Sequence, residues 1–294
     1  MSIKIDYNRF SGVRLTYEGK SIALRSSFLG NPGVVLQDKQ IIALARRLAN
    51  FDSALGSIEG SHLPTDLLPF RRVKLTNVET PRLPDETAYK FTDDRGLDHW
   101  LRGSIRLNPP ATYLTIENPN ARDLREGLGL LYLQGQTCFA ALTSMSGFNS
   151  LVICTSADAR KSERRRRMEK FGDRIVKIRN VTEFARKVAK LCGATSFVIR
   201  DVTYSDAKAV RAFSEFSDHF SHFSGELNEA SLEYIAKNWM DDLIQKTAAA
   251  SIFTKPLSFA NERERRFQFT FPENITEPIV VEDNSLCELI ELVR

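Results

Sequence analysis

The segment that most constrains the fold is a short run in which aromatic and polar residues alternate. Phe267, Phe269 and Phe271 alternate with Gln268 and Thr270. A period of two is typical of a β-strand that has one face in the core and the other toward solvent. Such a strand must pair with other strands in a sheet. The segment therefore predicts a β-containing fold with a half-buried strand at residues 267–271.

Two carboxylates precede this strand. Glu262 and Glu264 are separated by one residue, so on an extended chain both side chains point to the same side. Like charges on one face repel unless cations or a cationic ligand face them. One interpretation is a solvated strand end balanced by Arg263 and Arg265. The other is a pair of carboxylates that face a cleft, hold a ribose hydroxyl and stabilise a developing positive charge.

The composition is that of an ordinary globular chain. Of 294 residues, 42% are hydrophobic and 27% are charged, with a net charge of +4 that is compatible with a nucleotide or nucleic-acid partner. The four cysteines form no CxxC or Cys/His cluster, which indicates reduced thiols in a cytoplasmic protein and no metal site. No apolar run approaches the roughly 18 residues of a membrane span, so no membrane association is predicted.

The first part of the chain predicts a small β-β-α unit. Val13, Leu15 and Tyr17 alternate with polar residues before a Glu18-Gly19 turn, which is typical of a β-hairpin. Residues 38–51 carry apolar residues at helical spacing. Because glycines and prolines then accumulate, we expect an N-terminal accessory unit with its linker at residues 1–84, and a main domain at residues 85–294.

A strand, a helix and a second strand are predicted around residue 100. Tyr89-Lys90-Phe91-Thr92 is the first strand, Asp93-Asp94 precede a short amphipathic helix, and Gly103 ends that helix. Residues 104–107 form the second strand.

A buried central strand is predicted at residues 150–154, an almost continuous apolar run. It ends at Thr155-Ser156, which are common turn residues when taken alone. A helix with Thr182 as its N-cap is expected to end at Gly193. Residues 207–250 are expected to be helical, with their aromatic side chains in the core.

The most basic run is Arg160–Arg167. It predicts either a solvated helix face or a surface that contacts phosphates. No Gly-rich phosphate loop, GxSxG elbow or HExxH motif is present, which excludes kinase, dinucleotide-binding Rossmann, α/β-hydrolase and zinc-protease functions.

Three short motifs in order resemble a broad bacterial family associated with phage defence and toxin loci. That family opens with a Tyr-Lys-Tyr/Phe strand, has a Cys-x-Ser strand end, and closes on a lysine and an E-x-E-R segment. The corresponding segments here are Tyr89-Lys90-Phe91-Thr92, Cys154-Thr155-Ser156, and Lys255 with Glu262-Arg263-Glu264-Arg265. The resemblance covers roughly residues 85–272.

The same layout is similar to that of ADP-ribosyltransferases, and this resemblance implies an NAD-binding site. It implies that Lys90, in the strand with Tyr89 and Thr92, meets the pyrophosphate or nicotinamide ribose. Thr155 and Ser156 would then support the nicotinamide pocket. Glu264 would bind the ribose and stabilise the oxocarbenium-like transition state, and Glu262 would activate the acceptor.

Two function classes follow. The first is an NAD-dependent ADP-ribosyltransferase that modifies a protein or nucleic acid in a toxin or anti-phage defence system, with an antitoxin or defence partner. The second is a non-catalytic module that binds nucleic acid or a phage component through Arg160–Arg167. A nuclease is less favoured, because no second carboxylate cluster gathers two metals. The expected fold is α+β, with a mixed sheet split around a cleft, helices packed on it, and the N-terminal β-rich unit.

Overall fold

The computed structural model describes residues 3–8, 12–30, 40, 76–77, 87–110, 112–115, 127–159, 167–204, 209–223 and 228–293. Its architecture is mixed α+β, as predicted. The helix predicted at residues 38–51 lies outside the described residues, apart from residue 40.

The chain divides into two compact units, and each unit is assembled from separate segments. Unit one comprises Met1–Thr80, Leu124–Gly147 and Thr203–Leu257; unit two comprises Pro81–Asp123, Phe148–Val202 and Ser258–Arg294. The chain first passes from unit one to unit two after Thr80, and residues 85–294 contribute to both units.

The strands are numbered in chain order. They are β1 (Lys4–Asn8), β2 (Gly12–Tyr17), β3 (Lys20–Gly30), β4 (Thr76–Asn77), β5 (Ala88–Thr92), β6 (Ser104–Leu107), β7 (Leu128–Gln134), β8 (Phe139–Met145), β9 (Ser150–Ser156), β10 (Arg174–Ile178), β11 (Ser196–Asp201), β12 (Thr203–Tyr204), β13 (Ala209–Phe213), β14 (Thr254–Lys255), β15 (Glu264–Thr270), β16 (Ile279–Glu282) and β17 (Ile290–Val293).

The α-helices are numbered in the same way. They are α1 (Asp94–Leu101), α2 (Thr112–Thr115), α3 (Val181–Cys192), α4 (Phe216–Phe220), α5 (Glu229–Asn238) and α6 (Met240–Ser251). The 3₁₀ segments are Ser221–Phe223, Leu257–Glu262 and Asn284–Leu289.

Unit one contains a seven-stranded mixed sheet in the order β1-β2-β3-β8-β7-β13-β4. The predicted hairpin is confirmed, because β2 and β3 pair antiparallel with Leu15 opposite Ile22. Its turn has Glu18 at φ 50° and Gly19 at φ 76°. Positive φ at both central residues belongs to the tight hairpin turns whose twist matches that of the strands.

The helical prediction for residues 207–250 is wrong at its start. Residues 209–213 form β13, which pairs in parallel with β7. Val210 and Ala212 are buried in alternation, whereas Phe213 is 60% exposed at the end of the strand. A short apolar segment fits both the helical and the strand period, and here pairing with β7 makes the segment a strand. The aromatic core is confirmed beyond it, since the Phe216 ring stacks on Phe220 at 4.9 Å.

An aspartate ties the loop between β7 and β8 to α4. The Asp218 carboxylate accepts hydrogen bonds from the backbone N–H groups of Gln136, Thr137 and Cys138, at 2.7–2.9 Å. Gly135 gives it room, because a Cβ there would lie 2.5 Å from Asp218 Oδ2.

Unit two contains a six-stranded sheet in the order β11-β15-β9-β5-β10-β17, and all of its pairs are antiparallel. The strand predicted from the alternating phenylalanines is β15. It lies between β11 and β9, and Phe267 and Phe269 join the core. The prediction that it is half-buried is wrong, because Gln268 is buried too and donates a hydrogen bond to Ser150 Oγ at 2.8 Å.

The helix ends in unit two follow local sequence signals. Asp93 caps α1 by accepting a hydrogen bond from Gly96 N, and Gly103 follows the helix at φ 72°, as predicted for the helix end. Gly193 ends α3 at φ 73°, also as predicted. The N-cap of α3 is Asn180 and not Thr182, because its side chain accepts the Glu183 N–H and the helix begins at Val181.

The pairing between β5 and β9, at the centre of the sheet of unit two, is short. The ladder between β5 and β9 consists of one pair, Tyr89 with Ser156. Further along β9, Val152 pairs with Asn108 instead, with its N–H 2.8 Å from Asn108 O. The candidate site lies beside this short ladder.

Candidate functional site

Three residues from distant parts of the chain form one row across neighbouring strands of unit two. Ser156 on β9 is opposite Tyr89 on β5 and opposite Glu264 on β15. Directly opposite residues project from the same face of a sheet. The fold therefore brings together one residue from each of the three motifs.

Glu264 is buried in an ion pair with Arg266. Its side chain is 5% exposed and that of Arg266 is 1% exposed. Arg266 Nε donates to Glu264 Oε1 at 2.6 Å, and Nη2 lies 3.4 Å from Oε2. The two residues are two positions apart on one strand and so share a face. The pair gives the carboxylate a fixed orientation.

A thiol and a phenol continue this polar face. Cys154 is opposite Arg266, and its Sγ donates to the Tyr113 hydroxyl at 3.2 Å. Burial, with the charge of Glu264, raises the pKa of Cys154 to about 12. Burial also raises the pKa of Tyr113 well above its usual value. Both groups are therefore neutral near pH 7.

Lys90 follows Tyr89 on β5 and so projects from the opposite face of the sheet, but its ammonium group contacts the backbone of β9. Its Nζ donates to Cys154 O at 2.9 Å. An ammonium group has three N–H donors, and among the described residues this carbonyl is the hydrogen-bond acceptor that Lys90 contacts. No other acceptor in the described part of the chain takes the two further donors.

The predicted hydroxyl groups bind the backbone of their own unit. Thr155 Oγ1 donates to Arg265 O at 2.7 Å, and Ser156 Oγ donates to Glu262 O at 3.0 Å. As neighbours on one strand, Thr155 and Ser156 project from opposite faces. Thr92 lies at the far end of β5 from Tyr89, where a Cβ on Gly96 would meet its Oγ1. The row therefore contains Ser156 and not Thr155 or Thr92.

The prediction that Glu262 and Glu264 share one face of an extended chain is wrong. Glu262 ends the 3₁₀ segment Leu257–Glu262, and Arg263 has φ 42°, so the chain turns between the two carboxylates. Glu262 forms an ion pair with Lys170. The Lys170 Nζ also lies 4.8 Å from the centroid of the Phe259 ring. Each carboxylate therefore has its own cation.

Of the basic run, residues 160–166 lie outside the described residues. Arg167 is described, and it is not part of a solvated face because it is 2% exposed.

Sequence reasoning missed three members of the cluster. Arg266 and Cys154 could have been found, because each is two residues from a predicted site residue and so lies on the same strand face. No sequence feature indicated that Tyr113 belongs to the cluster, since it lies 41 positions from Cys154.

No protein-family model, curated protein or solved structure matches the chain. No group of three or more His, Cys, Asp and Glu side chains suited to a metal ion occurs among the described residues. Within the same residues, none of the helices has both the length and the apolar character needed to span a membrane.

Proposed function

We propose that the chain is an NAD-dependent ADP-ribosyltransferase that modifies a protein or nucleic acid, as a bacterial toxin or anti-phage effector. The observation that carries this proposal is the row of Tyr89, Ser156 and Glu264 across three strands, with the Lys90 ammonium group on the backbone of β9 two residues from Ser156. The short ladder between β5 and β9 supports the ADP-ribosyltransferase-like form of the fold, with its mixed sheet split around a cleft, in this proposal.

In this proposal Glu264 is the catalytic carboxylate. Cleavage of the bond between nicotinamide and ribose develops positive charge on the ribose, and a fixed carboxylate stabilises that charge by a few kcal/mol in a site that excludes water. The unused N–H donors of Lys90 bind an anionic or hydroxyl oxygen of NAD. Glu262, on the other side of the turn at Arg263, is the residue that would activate the acceptor.

A non-catalytic binding module is the second candidate, and a different observation favours it. Thr155, Ser156 and Glu264 are buried, and their polar groups already bind groups of the same chain. Fully satisfied polar networks of this kind also serve to fix one fold. In this alternative, Arg160–Arg167 binds nucleic acid or a phage component.

Titration calorimetry separates the two candidates. The enzyme proposal predicts saturable binding of NAD that weakens in Lys90→Gln and is unchanged in the control Lys237→Gln, which removes a surface charge paired with Glu233. The binding module predicts no NAD binding, and an affinity for nucleic acid that falls steeply with salt. Absence of NAD binding at millimolar concentration would reject the enzyme proposal.

A further inference from the structure

Two histidines lie side by side where α4 passes into a 3₁₀ segment. His219 is in the last turn of α4, and His222 is in the segment Ser221–Phe223. Residues three positions apart share one face of a helix, and in a 3₁₀ helix their side chains are eclipsed. The centroids of the two imidazole rings are 6.5 Å apart. The backbone therefore places the two imidazoles as neighbours.

Both imidazoles are accessible from solvent, and one of them is held in place by an aromatic contact. His219 and His222 are exposed residues. The Trp239 ring lies 5.4 Å from the His219 ring. Trp239 in turn packs edge-on against the buried Phe216 ring, at 5.9 Å. Because Trp239 is anchored on the core, it restricts the His219 ring while that ring stays open to solvent.

The chemistry of this pair suits a transition-metal ion. A neutral imidazole is the commonest metal ligand in proteins, and it suits zinc, copper and nickel ions. With metal–nitrogen bonds of about 2.0–2.1 Å, two imidazoles on one ion have ring centroids about 5–6 Å apart. The observed separation of 6.5 Å closes to this range by a small rotation of an exposed side chain.

We propose that His219 and His222 together bind a divalent transition-metal ion, with water at its remaining positions. The pair is an open, two-ligand site, since no group of three or more metal-binding side chains occurs in the described part of the chain. Affinity for nitrogen ligands is highest for Cu²⁺ among the first-row divalent ions, whereas Mg²⁺ prefers oxygen ligands. Both histidines belong to unit one and the proposed NAD site to unit two, so this inference goes beyond the proposed function.

Titration of the full chain, prepared without a histidine tag, with Cu²⁺, Ni²⁺ and Mg²⁺ tests the site by calorimetry and tryptophan fluorescence. We expect saturable binding of Cu²⁺, weaker binding of Ni²⁺ and no binding of Mg²⁺. Affinity should fall about tenfold or more in His222→Gln, because the second imidazole of a chelating pair binds intramolecularly. Cu²⁺ should quench the fluorescence of Trp239, which contacts His219, and Trp239→Phe should retain binding but lose this quenching.

His99→Gln is the matched control, because His99 is an exposed histidine on α1 of unit two. Its removal should leave the affinity unchanged. Three results would overturn the proposal: wild type that binds neither Cu²⁺ nor Ni²⁺ at about 1 mM, a folded His222→Gln variant with wild-type affinity, or an equal loss in His99→Gln. His222 is the residue to change, because His219 also packs on Trp239. None of these results depends on NAD, so this inference and the proposed function fail separately.

Discussion

The Glu264–Arg266 pair should be strongly coupled energetically. Glu264→Gln leaves a guanidinium that is 1% exposed without its carboxylate. Removal of one partner from a buried ion pair costs about 3–5 kcal/mol, whereas replacement of both by neutral residues is often nearly neutral. We therefore expect Glu264→Gln with Arg266→Met to be more stable than the sum of the single changes predicts, by about 2–4 kcal/mol.

Urea unfolding followed by the fluorescence of Trp100 measures this coupling. Trp100 stacks on Phe184 at 5.9 Å within the core of unit two, so it reports on the unit that contains the pair. Trp239→Phe removes the other tryptophan. The probe is needed because a chain of two units need not unfold in one step.

The exposed pair of Glu183 and Arg186 is the control, with side chains 35% and 62% exposed. A surface pair at this spacing contributes about 0.5 kcal/mol or less. A coupling as small as this for Glu264 and Arg266 would refute the view that their contact is a buried, organising interaction.

Three further predictions concern single residues. Burial would raise the pKa of Asp218, but hydrogen bonds from the β7–β8 loop lower it from 3.8 to about 2. The ionised carboxylate therefore stabilises the folded chain above pH 4, by about 1–2 kcal/mol after allowance for solvent screening. Urea titrations should show the advantage of wild type over Asp218→Asn at pH 7 and its loss as the pH falls toward 2; a constant difference would contradict this. Gly103→Ala should destabilise the chain far more than Gly193→Ala, because both glycines have φ near 72° but a Cβ at 103 would lie 2.1 Å from Asp283 O, whereas one at 193 meets nothing within 4 Å. Thermal unfolding measures both, and equal losses would show that backbone conformation alone matters. Burial raises the pKa of Cys154 from 9.0 to about 12, so its alkylation by iodoacetamide at pH 8 should be about a thousandfold slower than in the unfolded chain; rapid labelling seen by mass spectrometry would contradict this.

Local signals in the sequence predicted local structure well. The hairpin at Glu18-Gly19 and the helix ends at Gly103 and Gly193 each depend on a few neighbouring residues. Such signals act through one or two dihedral angles or hydrogen bonds, so a short window of sequence contains them.

Features that depend on distant partners were not predictable in the same way. β13 is a strand because β7 lies beside it, and a short apolar segment does not reveal that neighbour. The turn at Arg263 separates Glu262 from Glu264, and no glycine or proline at that position signals it. The approach of Tyr113 to Cys154 likewise arises only in the folded chain.

The most direct test of the central claim is the release of labelled nicotinamide from NAD by purified wild-type chain and by Glu264→Gln, each with its folding checked by tryptophan fluorescence. The account predicts steady release by wild type and a loss of about a hundredfold or more in the variant, the usual effect of removing one transition-state stabiliser. Equal release by both proteins, or none by the folded wild type, would contradict it.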